Sequence, residues 1–156
     1  MGERLGGFIY GTIVVLSVVI AGGKAFPHGA GHVAILVAVT TVVFWLAHVY
    51  SHAIAHSVGH DVHLSLAELR AIARKESAII EAGVPSIAAL TLGGFGVISH
   101  TAAIWLAIGL GLAVLGAQGL VFARVERLSW FATVVVVATN LGLGVLLIGL
   151  KLAVSH

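Results

Sequence analysis

The stretch HVAILVAVTTVVFWLAHVYSHAIAHSVGH, residues 32–60, contains no Asp, Glu, Lys or Arg and ends in a ladder of imidazoles, His48, His52, His56 and His60, with His63 just beyond. Crossing roughly 30 Å of hydrocarbon takes about 20 apolar helical residues, and this segment supplies that length before Gly59, a residue type that suits a helix end. Apolar segments of this kind normally exclude ionisable side chains. A ladder of histidines on one therefore reads as a metal site, a proton route or a rim at the membrane surface.

The rest of the chain has the same character. Hydrophobic residues make up 60% of the 156 and charged residues only 9%, against about a quarter charged in soluble domains. We expect an all-α membrane protein, one transmembrane helical domain over residues 1–156. The eight Lys and Arg are scattered, so there is no basic patch for nucleic acid. The absence of cysteine removes disulfides, thiolate ligands and thiol nucleophiles together. The opening Met-Gly-Glu-Arg before an apolar run has the outline of a signal peptide, but no polar mature domain follows, so it reads as a first span.

Turn, proline and charge signals divide the chain into about five spans, 5–22, 32–58, 79–99, 102–123 and 130–154. Gly22-Gly23-Lys24 and Pro27 close the first. Ser65 and Glu68 form an S-x-x-E capping box that opens a short amphipathic cytoplasmic helix, with Leu66, Leu69 and Ile72 against Arg70, Arg74 and Lys75, leading into the third span. Pro85 predicts a kink beside Glu81, whose carbonyl loses its amide partner. Gly7 and Gly11 form a G-x-x-x-G, and further glycines in the last three spans predict close helix packing. Trp45 and Trp105 are expected against neighbours or lipid, and Trp130 as an interfacial anchor.

With five spans, Arg4, Arg70, Arg74, Lys75, Arg124 and Arg127 fall on one side and Lys24 and Lys151 on the other. Six against two puts the N-terminus in the cytoplasm and the C-terminus outside. The ladder then faces the cytoplasm, with His28, His32 and His100 on the external side.

Each step of four residues climbs about 6 Å and drifts about 40° around a helix, so the ladder from His48 to His60 covers roughly 18 Å and no single ion touches all of it. A compact site needs two adjacent rungs and a carboxylate from another helix. The candidate set is His48, His52, His56 and Glu81, with His60, His63 and Glu76 weaker. A divalent ion such as Zn, Fe, Ni or Cu would suit it; the ordinary alternative is histidines solvated at the wet end of a helix. Haem fits less well, because two axial ligands come from two helices, an arrangement open only on the external side, where His28 or His32 faces His100. Thr41, Gln118 and Asn140 are candidates for a polar path or for hydrogen bonds between helices. H-E-x-x-H and G-x-S-x-G are both missing from the sequence, so an enzyme is not expected.

Phe44-Trp45-Leu46-Ala47-His48-Val49-Tyr50-Ser51-His52, together with Tyr10-Gly11-Thr12 and the basic connection after the second span, resembles a group of small uncharacterised bacterial polytopic integral membrane proteins. The resemblance implies a multi-pass protein of the bacterial inner (plasma) membrane and transfers no catalytic residue. The functional expectation is a protein that conducts or handles protons or divalent metal cations at a His/Glu-lined cytoplasmic site. The alternative is a non-transporting accessory or assembly subunit with a structural metal or haem. Five short helices enclose little, so a homo-oligomer or a larger membrane complex is expected.

Overall fold

The computed structural model describes residues 2–60 and 65–154, and every regular element among them is an α-helix. The elements are α1 (Gly2–Ala25), α2 (Ala30–His60), α3 (Leu66–Lys75), α4 (Ala78–Gly94), α5 (His100–Val125) and α6 (Trp130–Val154). Of the ladder and its tail, His63 lies outside the described residues, as does the side chain of His60.

Arg4–Ala25, Ala30–Ser57 and His100–Val125 are long and apolar enough to cross a membrane. A fourth crossing is available if α3 and α4, bent by 44° at their junction, count as one span. Trp130–Leu146 of α6 forms a shorter apolar helical stretch.

Local chemistry accounts for the helix ends. The predicted capping box is present: the Ser65 hydroxyl accepts from the Glu68 amide at 3.2 Å while the Glu68 carboxylate accepts from the Ser65 amide at 2.8 Å, satisfying two amides that the first turn leaves over. At the other end of the broken pair, α4 stops at Gly94 rather than near residue 99. Gly96 takes φ 74°, the Val97 amide reaches back to the Leu92 carbonyl and the Gly96 amide to that of Gly93, the paired bonds of a Schellman ending. The α5–α6 turn repeats the pattern with Arg127 at φ 51° and the Leu128 amide on the Ala123 carbonyl.

The break in the third span differs from the expected one. Pro85 lies inside α4, and the 44° bend comes earlier, at Glu76 and Ser77. Glu76 keeps helical angles and caps α3 through its amide on the Ile72 carbonyl. Ser77 turns its hydroxyl back to the Arg74 carbonyl and gives α4 no side-chain cap.

α1 runs through the middle of the bundle, touching α2, α4, α5 and α6, while α3 rests on α2. Val15, Leu16, Val19 and Ile20 of α1 meet Val33 and Val37 of α2, Leu90 of α4, and Ile108 and Leu115 of α5 in one apolar cluster. Small residues set the spacing of this core. A Cβ on Gly11 would lie 2.9 Å from the Ile79 carbonyl oxygen, so α1 and α4 touch nearly backbone to backbone. The G-x-x-x-G therefore serves a contact within the chain. Buried hydroxyls and amides are satisfied by carbonyls, as intramembrane polar groups must be: Ser86 donates to Ala107 at 3.0 Å, tying α4 to α5.

A candidate proton-handling site at the α2–α3–α4 junction

The apolar first part of α2 sets the helix in the bundle, and the α3–α4 elbow packs beside the following turns, where the histidines lie. His48 comes first. Its Nδ1 is 3.0 Å from the Phe44 carbonyl, which can only accept, so Nδ1 is the donor of this contact. The ring also packs against Tyr10 of α1, with centroids 5.1 Å apart.

One turn on, His52 Nδ1 lies 2.8 Å from Oε1 of Glu76. The two ends of this pair differ in environment: the His52 side chain is 49% exposed and that of Glu76 only 9%. Glu76 is buried at the elbow, where the residue capping α3 lies against α2 before α4 departs. The His48 and His52 rings stand edge to face, 6.5 Å between centroids.

His52 separates two depressions. One, of about 360 Å³, is lined by Tyr10, Phe44, Ala47, His48, Ser51 and His52. The other, of about 250 Å³, is lined by His52, His56, Ile72 and Lys75. Three rungs of the ladder therefore share one surface, with a buried carboxylate beneath the middle rung.

Glu81, expected as the acidic partner of the ladder, is engaged elsewhere. Its oxygens take Arg4 Nη2 at 3.1 and 3.2 Å, and Ser77 donates to Oε1 at 2.7 Å. This contact ties the start of α1 to the start of α4, and both partners are about half exposed. Among the described residues no group of three or more His, Asp or Glu is placed to hold a metal ion; His52 and Glu76 supply two donors.

Trp45 has a role that its apolar surroundings conceal in the sequence. Its indole Nε1 donates to the Ala73 carbonyl at 3.0 Å and pins α3 to α2 just before the elbow. Trp45→Phe, which removes the donor and keeps most of the ring, is expected to cost about 1 kcal/mol. Amides of residues 66–75 should then exchange with deuterium several-fold faster in detergent. Unchanged exchange there would mean that the indole does not hold α3.

The remaining candidates fall into two groups. Thr41 is buried and donates to the Val37 and Ala38 carbonyls of its own helix, and Asn140 reaches the Leu115 carbonyl at 3.5 Å, joining α6 to α5. Both make packing bonds, and Gln118 is half-buried. At the far end of the bundle, His28 and His32 line a cleft of about 410 Å³ with Gly93 and Gly94, and Phe26 stacks on His32 at 5.6 Å. His100, at the start of α5, is not among the residues lining that cleft.

No protein family, curated protein or solved structure matches this chain.

Proposed function

We propose that the chain is a small multi-pass membrane protein that takes up and releases protons at one membrane face, with His52 and Glu76 as the exchanging pair and His48 and His56 as neighbouring rungs. The observation that carries this reading is the nearly buried Glu76 carboxylate 2.8 Å from a half-exposed imidazole. An ionisable pair set into an apolar bundle is costly to keep, which points to use, and imidazole is the side chain that changes charge near neutral pH. The described donors fall short of the three or four protein ligands that zinc sites use, so protons suit the site better than a divalent metal.

In this reading α3–α4 crosses as one bent span and α6 as the fifth. The ladder, Arg4 and the basic side chains of α3 then face the cytoplasm of a bacterial inner membrane. Val15, Leu16, Val37, Leu90 and Ile108 form an apolar barrier in the middle of the bundle, so passage across the whole bilayer runs along α2 between copies of a homo-oligomer.

The test is proton movement into liposomes containing the purified protein and a pH-sensitive dye. Flux is expected to change with pH between about 5 and 8 and to fall at least about tenfold in His52→Gln and in Glu76→Gln, the scale set by general acid–base groups. Equal flux in wild type and both variants would overturn the reading.

A second reading is favoured by Trp45, which joins the same two elements as His52 and Glu76. There the pair is a structural staple in an accessory or assembly subunit. That reading expects no protein-dependent flux, together with a loss of stability in both variants.

A further inference from the structure

We propose that the depression between α1 and α2 binds the headgroup of a lipid-soluble quinone, a flat uncharged ring with oxygens on its edge and an apolar tail that reaches the bilayer. The depression measures about 360 Å³ and is lined by Tyr10 of α1 and by Phe44, Ala47, His48, Ser51 and His52 of α2. Small-molecule sites occupy about 300–1,000 Å³ and are mostly apolar with a few polar groups; the low end of that range suits a single ring. Both walls belong to helices long and apolar enough to cross a membrane, Arg4–Ala25 and Ala30–Ser57, so a ligand dissolved in the bilayer meets the depression there.

The hollow follows from the sequence. Phe44 and His48 make one row of neighbours on α2, four residues apart, and Ala47 and Ser51 make the next. The first row carries rings and the second almost no side chain, which leaves a step beside the rings. Tyr10 closes the step from α1, its ring 6.0 Å from that of Phe44 and 5.1 Å from that of His48, tilted by 51° and 49°. Rings so placed offer faces and edges to one more ring, in the offset and tilted arrangements that aromatic groups prefer.

The polar atoms of the lining call for oxygens on that ring. Thr12, Thr41, Thr91 and Thr139 each settle their hydroxyl on the carbonyl four residues back. Ser51 makes no such bond, and among the described residues the Tyr10 hydroxyl has no hydrogen-bond partner either. A hydroxyl left without a partner away from water is costly, and the carbonyls of a quinone accept from both. With Nδ1 donating to Phe44, a neutral His48 ring accepts at Nε2, which suits the hydroxyl of the reduced ring. His52 closes the far end with its Nδ1 on Glu76. The lining holds no Lys or Arg, and the Glu76 carboxylate is bonded to His52, so an uncharged ring fits where a lipid phosphate does not. A bare hydrocarbon chain would leave both hydroxyls unsatisfied. Binding makes and breaks no covalent bond and requires no proton exchange.

The test is equilibrium dialysis of the full chain in detergent micelles against empty micelles, with tritiated decylbenzoquinone as the probe. Wild type is expected to hold an excess that saturates at one probe per chain. Tyr10→Phe and Ser51→Ala should each weaken binding about fivefold, the worth of one hydrogen bond. Ala47→Leu, which fills the hollow from an exposed position, should weaken it at least about tenfold. Ala113→Leu, exposed on α5, should leave it unchanged, and decylbenzene, which has the tail and no oxygens, should bind at least about fivefold more weakly than the quinone. Equal distribution of the probe between the two chambers would overturn the proposal, as would wild-type affinity in Ala47→Leu or in both hydroxyl variants. Decylbenzene held as tightly as the quinone would also overturn it, in favour of an apolar groove. No proton gradient enters this measurement and no quinone enters the flux assay, so the failure of one reading is distinguishable from that of the other.

Discussion

His52→Ala is expected to destabilise the protein by about 2–3 kcal/mol, and Glu76→Gln by only about 1 kcal/mol, although the two substitutions break the same contact. The asymmetry follows from burial. Removing the imidazole leaves a carboxylate whose side chain is 9% exposed without the partner that the structure gives it, and an unsatisfied buried acceptor costs about 1–3 kcal/mol, more when charged. Glutamine at position 76 removes the charge but retains a carbonyl able to accept from Nδ1 of His52, and the half-exposed ring has water within reach. The double variant should therefore be more stable than His52→Ala alone, because Glu76→Gln relieves the stranded charge. Such non-additivity is the signature of direct coupling. Unfolding in detergent at neutral pH measures all three variants. Additive losses, or a larger cost for Glu76→Gln than for His52→Ala, would show that the two side chains do not depend on each other. Because the readout is stability, it applies equally to the proton reading and to the structural staple; the flux measurement separates those.

The contrast between Glu76 and Glu81 shows where the sequence stops being readable. The apolar runs and the S-x-x-E box at Ser65 announce their helices through local chemistry, whereas the glycines after Leu92, read for packing, end α4 at Gly94, short of the expected residue 99. The ladder is also local, since a spacing of four on a helix settles which rungs are neighbours. The carboxylate is a different problem, because its direction depends on the path of the chain between α3 and α4. Pro85 is the conspicuous helix breaker in that region, yet the chain bends at Glu76 and Ser77, which carry no Gly or Pro. In the structure Glu76, still helical at the end of α3, meets His52, while Glu81 beyond the bend turns to Arg4. Arg127 illustrates the same limit from the other side, since a non-glycine residue at positive φ leaves no mark in composition. Likewise, Gly7 and Gly11 announce a close helix contact without saying that the partner is α4.

Gly93→Ala is expected to lower stability by about 1–3 kcal/mol, the usual cost of overpacking a filled site. A Cβ there would stand 2.4 Å from the Cβ of Ala103 and 3.0 Å from that of Ala30. Neither neighbour can yield by changing rotamer, because a methyl group on a helix moves only with its backbone. Three helices meet at this point, α4 with the starts of α2 and α5, so the strain must displace at least one of them. Ala103→Gly in the Gly93→Ala background removes the tighter overlap and leaves the 3.0 Å contact with Ala30, so part of the loss should return. On its own, Ala103→Gly should cost up to about 1 kcal/mol, as glycine does inside a helix. Recovery in the double variant therefore identifies the contact itself as the cause. Melting in detergent supplies the comparison, and a Gly93→Ala protein that melts with wild type would mean that α4 and α5 stand further apart than 2.4 Å implies. The position also provides a control for function. Gly93 and the α3–α4 elbow lie at opposite ends of α4, 17 residues or roughly 25 Å apart at the helical rise. Gly93→Ala should thus lower the amount of folded protein while leaving flux per folded molecule within about twofold of wild type, whereas His52→Gln and Glu76→Gln lower flux in molecules that have folded.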